Sequence, residues 1–166
     1  MIRAIVGDLA SIRVDAVVRP TTPKLGPASP ELESLERVAG PGFHAQLTTA
    51  RELGIGSAVV TDSGDLTTDF VIHAVVGYPE APILADAVRR AVQSALERAA
   101  AWQFQRVAFP PIGVGPGSLV MSATAQIMAE VIIEHLKAAE YPSDVLIVVE
   151  TENDREIFEG LLRNAS

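Results

Sequence analysis

The longest run of this chain without a charged side chain, Val107 to Ala129, has the length to cross a bilayer, yet its middle forbids it. Between Pro110 and Gly117 stand three prolines and three glycines, which a spanning helix cannot hold. The run must therefore divide into strand, loop and helix. Arg106-Val107-Ala108-Phe109 has the apolar, β-branched character of a strand, and a helical pattern resumes over Ser122 to Ala139, with Ser118 or Ser122 placed to cap it. A glycine-rich loop between a strand and a helix lets several backbone N–H groups converge on one anion, in front of the partly positive helix end. Loops of this composition are also ordinary connectors, so an anion site and a plain turn both stay open. The order Gly-x-Gly-x-Gly, with no Lys-Ser or Lys-Thr after it, is neither the dinucleotide fingerprint nor a P-loop.

At 166 residues the chain suits one domain spanning 1–166, large enough to bury roughly two-thirds of the surface its unfolded form exposes. With 48% hydrophobic and 20% charged residues it reads as globular rather than disordered. A mean hydropathy of +0.27 raises the question of a membrane, and the broken apolar run answers it: no membrane partner is expected. Met1-Ile2-Arg3-Ala4-Ile5-Val6 passes straight into a strand pattern without the features of a signal peptide, so the expected location is cytoplasmic. The absence of cysteine removes disulfides and thiolate metal sites, and His44, His73 and His135 have no ligand spacing. No metal and no cofactor is expected. A net charge of −8 repels polyanions, which argues against bulk nucleic acid as a partner but leaves room for a small anion held by backbone amides.

Strand patterns fall at Ile2 to Val6, Ala16 to Arg19, Ser57 to Thr61, Phe70 to Val76, Arg106 to Phe109 and Val145 to Val149. Between them lie helical patterns: one from Ser29, with Pro30 at its first position, to Gly40, then Gly42 to Leu53, Ile83 to Ala101, Ser122 to Ala139 and Asp154 to Leu162. This alternation predicts an α/β fold with all strands in one sheet and helices on both faces. Sheets of that kind collect ligands at the carboxyl ends of their strands, where Asp8, Thr22 and the 113–117 loop fall. Arg89, Arg90, Glu97 and Arg98 read as a solvated helix face, and His73, in an apolar strand, as a satisfied core histidine.

Gly7-Asp8-Leu9, followed by Val14-Asp15-Ala16-Val17-Val18, resembles the opening signature of the macrodomain family. Further blocks similar to that family follow in order: Val38-Ala39-Gly40, Gly56 to Thr61, Val71 to Val75, and Phe109 to Gly115. The resemblance implies a three-layer α/β/α fold with a central mixed, mostly parallel sheet and a cleft for ADP-ribose or a related adenine nucleotide, free or carried on an ADP-ribosylated protein. It also implies roles. Asp8 would accept a hydrogen bond from the adenine amine, Leu9 would offer its amide, and Ile112, Gly113, Val114, Gly115, Pro116, Gly117 and Ser118 would wrap the diphosphate. Read alone, Asp8 is equally a turn residue after a strand.

Departures from the family pattern bear on activity. Its Asn-Ala-Ala-Asn, directed at the distal ribose, is replaced by Arg19-Pro20-Thr21-Thr22, and its glycine-rich second loop by Ala28-Ser29-Pro30-Glu31. Leu32 stands where hydrolytic members place an aspartate, and leucine can neither act as a base nor orient water. No catalytic residue is therefore assigned. Arg19 has two readings: a contact to a phosphoryl group at the distal end, beside Thr22, Ala28 and Ser29, or an ion pair with a protein acid. The implied function is nucleotide binding, with distal contacts to the second sugar depleted. The alternatives are a weak ADP-ribosyl or O-acetyl-ADP-ribose hydrolase, and a degenerate macrodomain kept as an interaction module.

Overall fold

A computed structural model describes residues 1–28, 32–47, 52–115 and 117–165. Six strands form one sheet: β1 (Ile2–Val6), β2 (Ala16–Thr21), β3 (Ala58–Asp62), β4 (Phe70–Val75), β5 (Arg106–Phe109) and β6 (Asp144–Val149). Their spatial order is β1-β6-β5-β2-β4-β3, and every neighbouring pair is parallel except β3 with β4. Strands from both ends of the chain thus pair at one edge, where the Val145 amide also donates to the Met1 carbonyl at 2.8 Å.

Alternation along the strands divides the apolar residues between two layers. Ala16, Val18, Val145, Ile147 and Val149 face one core, shared with α3 (Ala85–Ala101), α4 (Met121–Ala138) and α5 (Glu152–Ala165). Val17, Val71, Leu146 and Val148 face the other, closed by the shorter α1 (Glu33–Ala39) and α2 (Pro41–Gln46). The architecture is three-layer α/β/α. On α3 the small residues Ala87, Ala91, Ala95 and Ala99 are buried, while Arg89, Arg90, Glu97 and Arg98 are exposed, as their spacing predicts.

β2 extends two residues past its expected end, through Pro20. A proline lacks the ladder N–H, but β5 pairs with β2 only at Ala16 and Val17, so at Pro20 the sheet has already parted on that side. Connections diverge here: β2 leads through α1 to β3 and β4, whereas β5 leads through α4 to β6. This is a topological switch point, where α/β sheets open a crevice. One helix differs from expectation, and the start of another is not described. Residues 29–31 and 48–51 lie outside the described residues, so the start near Ser29 is not addressed; α2 is shorter than the pattern over 42–53, and Leu53 is irregular, its amide donating to the Pro23 carbonyl at 2.9 Å.

At the opposite, amino-terminal end of the strands, Phe70, Trp102 and Phe104 form an aromatic cluster with ring centroids 5.2–5.8 Å apart. Trp102, the chain's lone tryptophan, caps the end of α3 and is half exposed. No described helix is long and apolar enough to cross a membrane.

Candidate functional site

A cleft of about 810 Å³ opens across the carboxyl ends of the strands. Strand order fixes its layout. At the β1–β6 end it is bordered by Asp8, Leu9, Glu150 and Asp154, in the middle by the loop after β5, and at the β2–β4 end by Thr22, Ala28, the start of α1 and the 77–83 segment. Its charged borders are Asp8, Glu80, Glu150 and Asp154, and among the described residues no lysine, arginine or histidine lines it. An anion here has to be held by neutral donors.

Asp8 takes the turn role that its position after a strand predicts. Its Oδ1 accepts the Ala10 amide at 3.0 Å and its carbonyl accepts the Ser11 amide at 3.1 Å, so it builds the turn that follows β1. The side chain is nonetheless exposed at the cleft, and Oδ2 has no protein partner among the described residues. Leu9, half-buried, follows it along the wall.

The loop after β5 is folded by its own backbone. The Leu119 amide donates to Gly113 O and the Ser118 amide to Gly115 O, each at 3.0 Å. Gly113 has a φ of +88°, and a Cβ there would lie 2.5 Å from Val88 Cγ2 on α3, so glycine is required on both counts. By contrast, a Cβ on Gly115 would meet nothing within 4 Å. Gly113, Val114, Gly115, Gly117 and Ser118 line the cleft, and the amides of Gly113 and Val114 have no partner among the described residues. Pro116 lies outside the described residues, as does Ser29.

Three sequence assignments are corrected. Ile112 is fully buried and does not line the cleft; Thr124 of α4 donates its hydroxyl to the Ile112 carbonyl at 2.9 Å, which makes the residue the loop's anchor. Neither Ser118 nor Ser122 caps α4. The N-cap is Val120 without a side-chain bond, because the Ser118 hydroxyl oxygen instead accepts the Ile83 amide at 2.8 Å and ties the loop to the segment before α3.

Arg19 is the third. Its side chain is completely buried beneath the cleft floor, not in the cleft. On β2 it has the parity of Val17, so it points toward α1 and α2. There it pairs with Glu36 of α1, donates from Nη2 to the Leu25 carbonyl at 3.0 Å and from Nη1 to His73 Nδ1 at 3.2 Å. Since Nδ1 accepts, His73 carries its proton on Nε2 and donates it to Thr61 Oγ1 at 2.8 Å, while the Thr61 hydroxyl donates to Asp62 O at 2.9 Å. Burial, and secondarily the Arg19 charge, lower the His73 pKa from 6.5 to about 3. His73 is thus a neutral, satisfied core histidine. Burial also lowers Arg19 to about 10, which leaves it charged at neutral pH.

Sequence reasoning did not single out Tyr78, Glu80, Glu150 or Asp154 as cleft residues. Glu80 and Glu150 follow the carboxyl ends of β4 and β6, so the strand-end rule that picked Asp8 would have reached them had it been applied to every strand. Among the described residues no three histidines or carboxylates gather to hold a metal ion.

An open, mostly parallel α/β sheet with a strand-end cleft and a glycine-rich loop defines a class of small-ligand-binding domains. The match within that class is specific: the Macro domain family model fits residues 33–128. A protein of Cronobacter turicensis named O-acetyl-ADP-ribose deacetylase is 32% identical over 171 residues, covering 97% of this chain and 95% of its own. An Enterobacter protein of the same name is 30% identical over 167 residues, at 97% and 93% coverage. The chain belongs to the macro domain family. Solved structures agree on the fold. An Oceanobacillus iheyensis macrodomain variant with ADPR has a TM-score of 0.84 at 21% identity, covering 97% of this chain and 91% of that one. A Trypanosoma brucei macrodomain in complex with ADP has a TM-score of 0.84 at 20% identity, covering 97% and 68%.

Proposed function

We propose that residues 1–166 act as one macro domain that binds ADP-ribose or a related adenosine diphosphate compound in the strand-end cleft. The observation that carries this reading is the continuity of the cleft from Asp8, past the Gly113–Ser118 loop, to Thr22 and Ala28. Its volume is within the range of about 300–1,000 Å³ typical of small-molecule sites. In this reading Asp8 keeps one carboxylate oxygen on its turn and gives the other to the adenine amine. The diphosphate sits on amides of the 113–118 segment, Gly113 and Val114 first, since the Ser118 amide is engaged within the turn. Neutral N–H donors suit a cleft whose charged borders are all acidic. Ligands presented on an ADP-ribosylated protein would enter from the open β2–β4 end.

Deacetylation is the second reading, favoured by the names of relatives that match almost the whole chain. Against efficient turnover stands Leu32, apolar and at the cleft wall where hydrolytic members carry an aspartate. Any hydrolysis would rely on water activated by the substrate's own phosphate. Calorimetric titration with ADP-ribose, ADP and AMP tests the binding reading. Saturable binding of ADP-ribose supports it, and no heat with any of the three at millimolar concentration refutes it. Acetate release from O-acetyl-ADP-ribose, followed in parallel, is expected to be slow or absent. Turnover matching that of an active macrodomain would make this chain an enzyme.

A further inference from the structure

The sequence reads as though the distal end of the cleft has lost its specificity, because the family's amides are replaced by Arg19-Pro20-Thr21-Thr22. We propose that Arg19 is a positioning residue that rebuilds this end from beneath, holding the 22–28 turn and α1 as one preformed wall that selects ligands extending past the second phosphate. The proposal rests on the binding function proposed above.

Arg19 reaches both halves of that wall. Through Nη2 it holds the carbonyl of Leu25, a buried residue in the left-handed region at φ +64°. A residue with a Cβ is strained in that region and persists there only where its surroundings over-determine it. The surroundings do so here. The Leu25 amide donates to Thr22 O at 2.8 Å, the Thr22 and Gly26 residues exchange bonds of 3.0 and 3.1 Å, and the Ala28 amide donates to Pro20 O at 3.2 Å. The outcome is that Thr22 and Ala28 face the cleft. Through Glu36, Arg19 also fixes α1, whose first turn and preceding residue present Leu35, Ser34 and Leu32 to the same space. Phe43 and the neutral His73 pack beside the guanidinium and hold it from the far side.

A role in stability alone explains the arrangement poorly. Arg19 Nε and Thr21 Oγ1, on the same face of β2, are both buried with no hydrogen-bond partner among the described residues. A buried ion pair with unmet hydrogen bonds is commonly no better than an apolar replacement of similar volume, whereas breaking it on one side is strongly destabilising. What an apolar pair cannot supply is the donor to Leu25 O. That difference separates the two roles.

The test compares Arg19→Met with the double variant Arg19→Met/Glu36→Met. The single variant leaves Glu36 buried without its arginine, with only the exposed His44 Nε2 3.8 Å away, and is expected to melt well below the parent protein. The double variant should regain most of the melting temperature while its turn stays unheld. In calorimetry the parent protein should prefer ADP-ribose over ADP by tenfold or more; the double variant should lose that preference to within about twofold, with ADP affinity unchanged. A double variant that recovers both stability and preference, or a parent protein without the preference, overturns the proposal. Hydrogen exchange on the ligand-free proteins decides the matter even if no nucleotide binds. In the double variant the amides of Leu25, Gly26 and Ala28 should exchange at least tenfold faster while those of Ser118 and Leu119 do not change. Equal exchange at the turn in the two proteins would likewise overturn it, independently of the binding function.

Discussion

At the β1–β6 end of the cleft and along its middle, the surface is shaped mainly by short-range bonds: Asp8 closes its own turn, and the 113–119 loop carries three amide–carbonyl bonds within itself. At the β2–β4 end the shape depends on a side chain, Arg19, that reaches up from the buried floor to a turn and a helix. A surface held by short-range bonds is set by a few neighbouring residues. A surface held by one buried arginine depends on partners contributed by β4, α1 and the 22–26 turn.

The largest effect that would sharpen this contrast comes from Gly115→Glu. Open space around the missing Cβ admits the side chain and puts its carboxylate at the phosphate position, while the φ of +158° at Gly115 strains any residue that carries a Cβ. Affinity for ADP-ribose should fall by a hundredfold or more, about 2.7 kcal/mol, and the backbone strain should lower the melting temperature without preventing folding. Undiminished affinity in the folded variant would remove the loop from the site. Gly113→Ala should do the reverse. The new methyl meets Val88 on α3, and a left-handed φ adds strain, for a loss of about 2–3 kcal/mol in denaturant unfolding. A neutral outcome would mean that the loop is held less tightly against α3 than described.

The distal end has a pH signature instead. His73 in the folded protein stays neutral down to about pH 3, whereas in the unfolded chain it takes a proton near its ordinary value of 6.5. Stability is therefore complete above pH 6.5 and declines as the pH falls toward 3, with a slope approaching about 1.4 kcal/mol per pH unit. Between pH 6.5 and 5, His73→Gln should lose about 1–2 kcal/mol less than the parent protein. Parallel stability curves would show that His73 is protonated in the fold. Smallest is Asp8→Ala, expected to weaken ADP-ribose and ADP alike by about tenfold through the lost adenine contact. A loss confined to ADP-ribose would place Asp8 at the wrong end of the cleft.

Much of the architecture was legible because period-two alternation and breaker residues mark strands well. β1 and β5 begin and end where the sequence places them. β2 was read short because Pro20 looks like a stop. Only the three-dimensional fact that β5 has already ended makes proline acceptable there. In the site, Asp8, Leu9, Thr22, Ala28 and the glycines were reachable from strand ends and family pattern. Arg19 and Ile112 were not, since the sequence does not say which strand-end side chains face the opening and which face the layer below. Glu36, the partner of Arg19, sits in a helix whose register against β2 emerges only from packing.

Trp102 gives the molecule a built-in optical reporter with a useful blind spot. As the lone indole, tilted against Phe70 and Phe104 at the end of the sheet remote from the cleft, it should change its emission when the aromatic cluster comes apart and stay indifferent to whatever occupies the far side. Fluorescence should therefore follow unfolding without a contribution from ligand quenching, so that a nucleotide's effect on that signal measures linkage to folding rather than proximity to the chromophore.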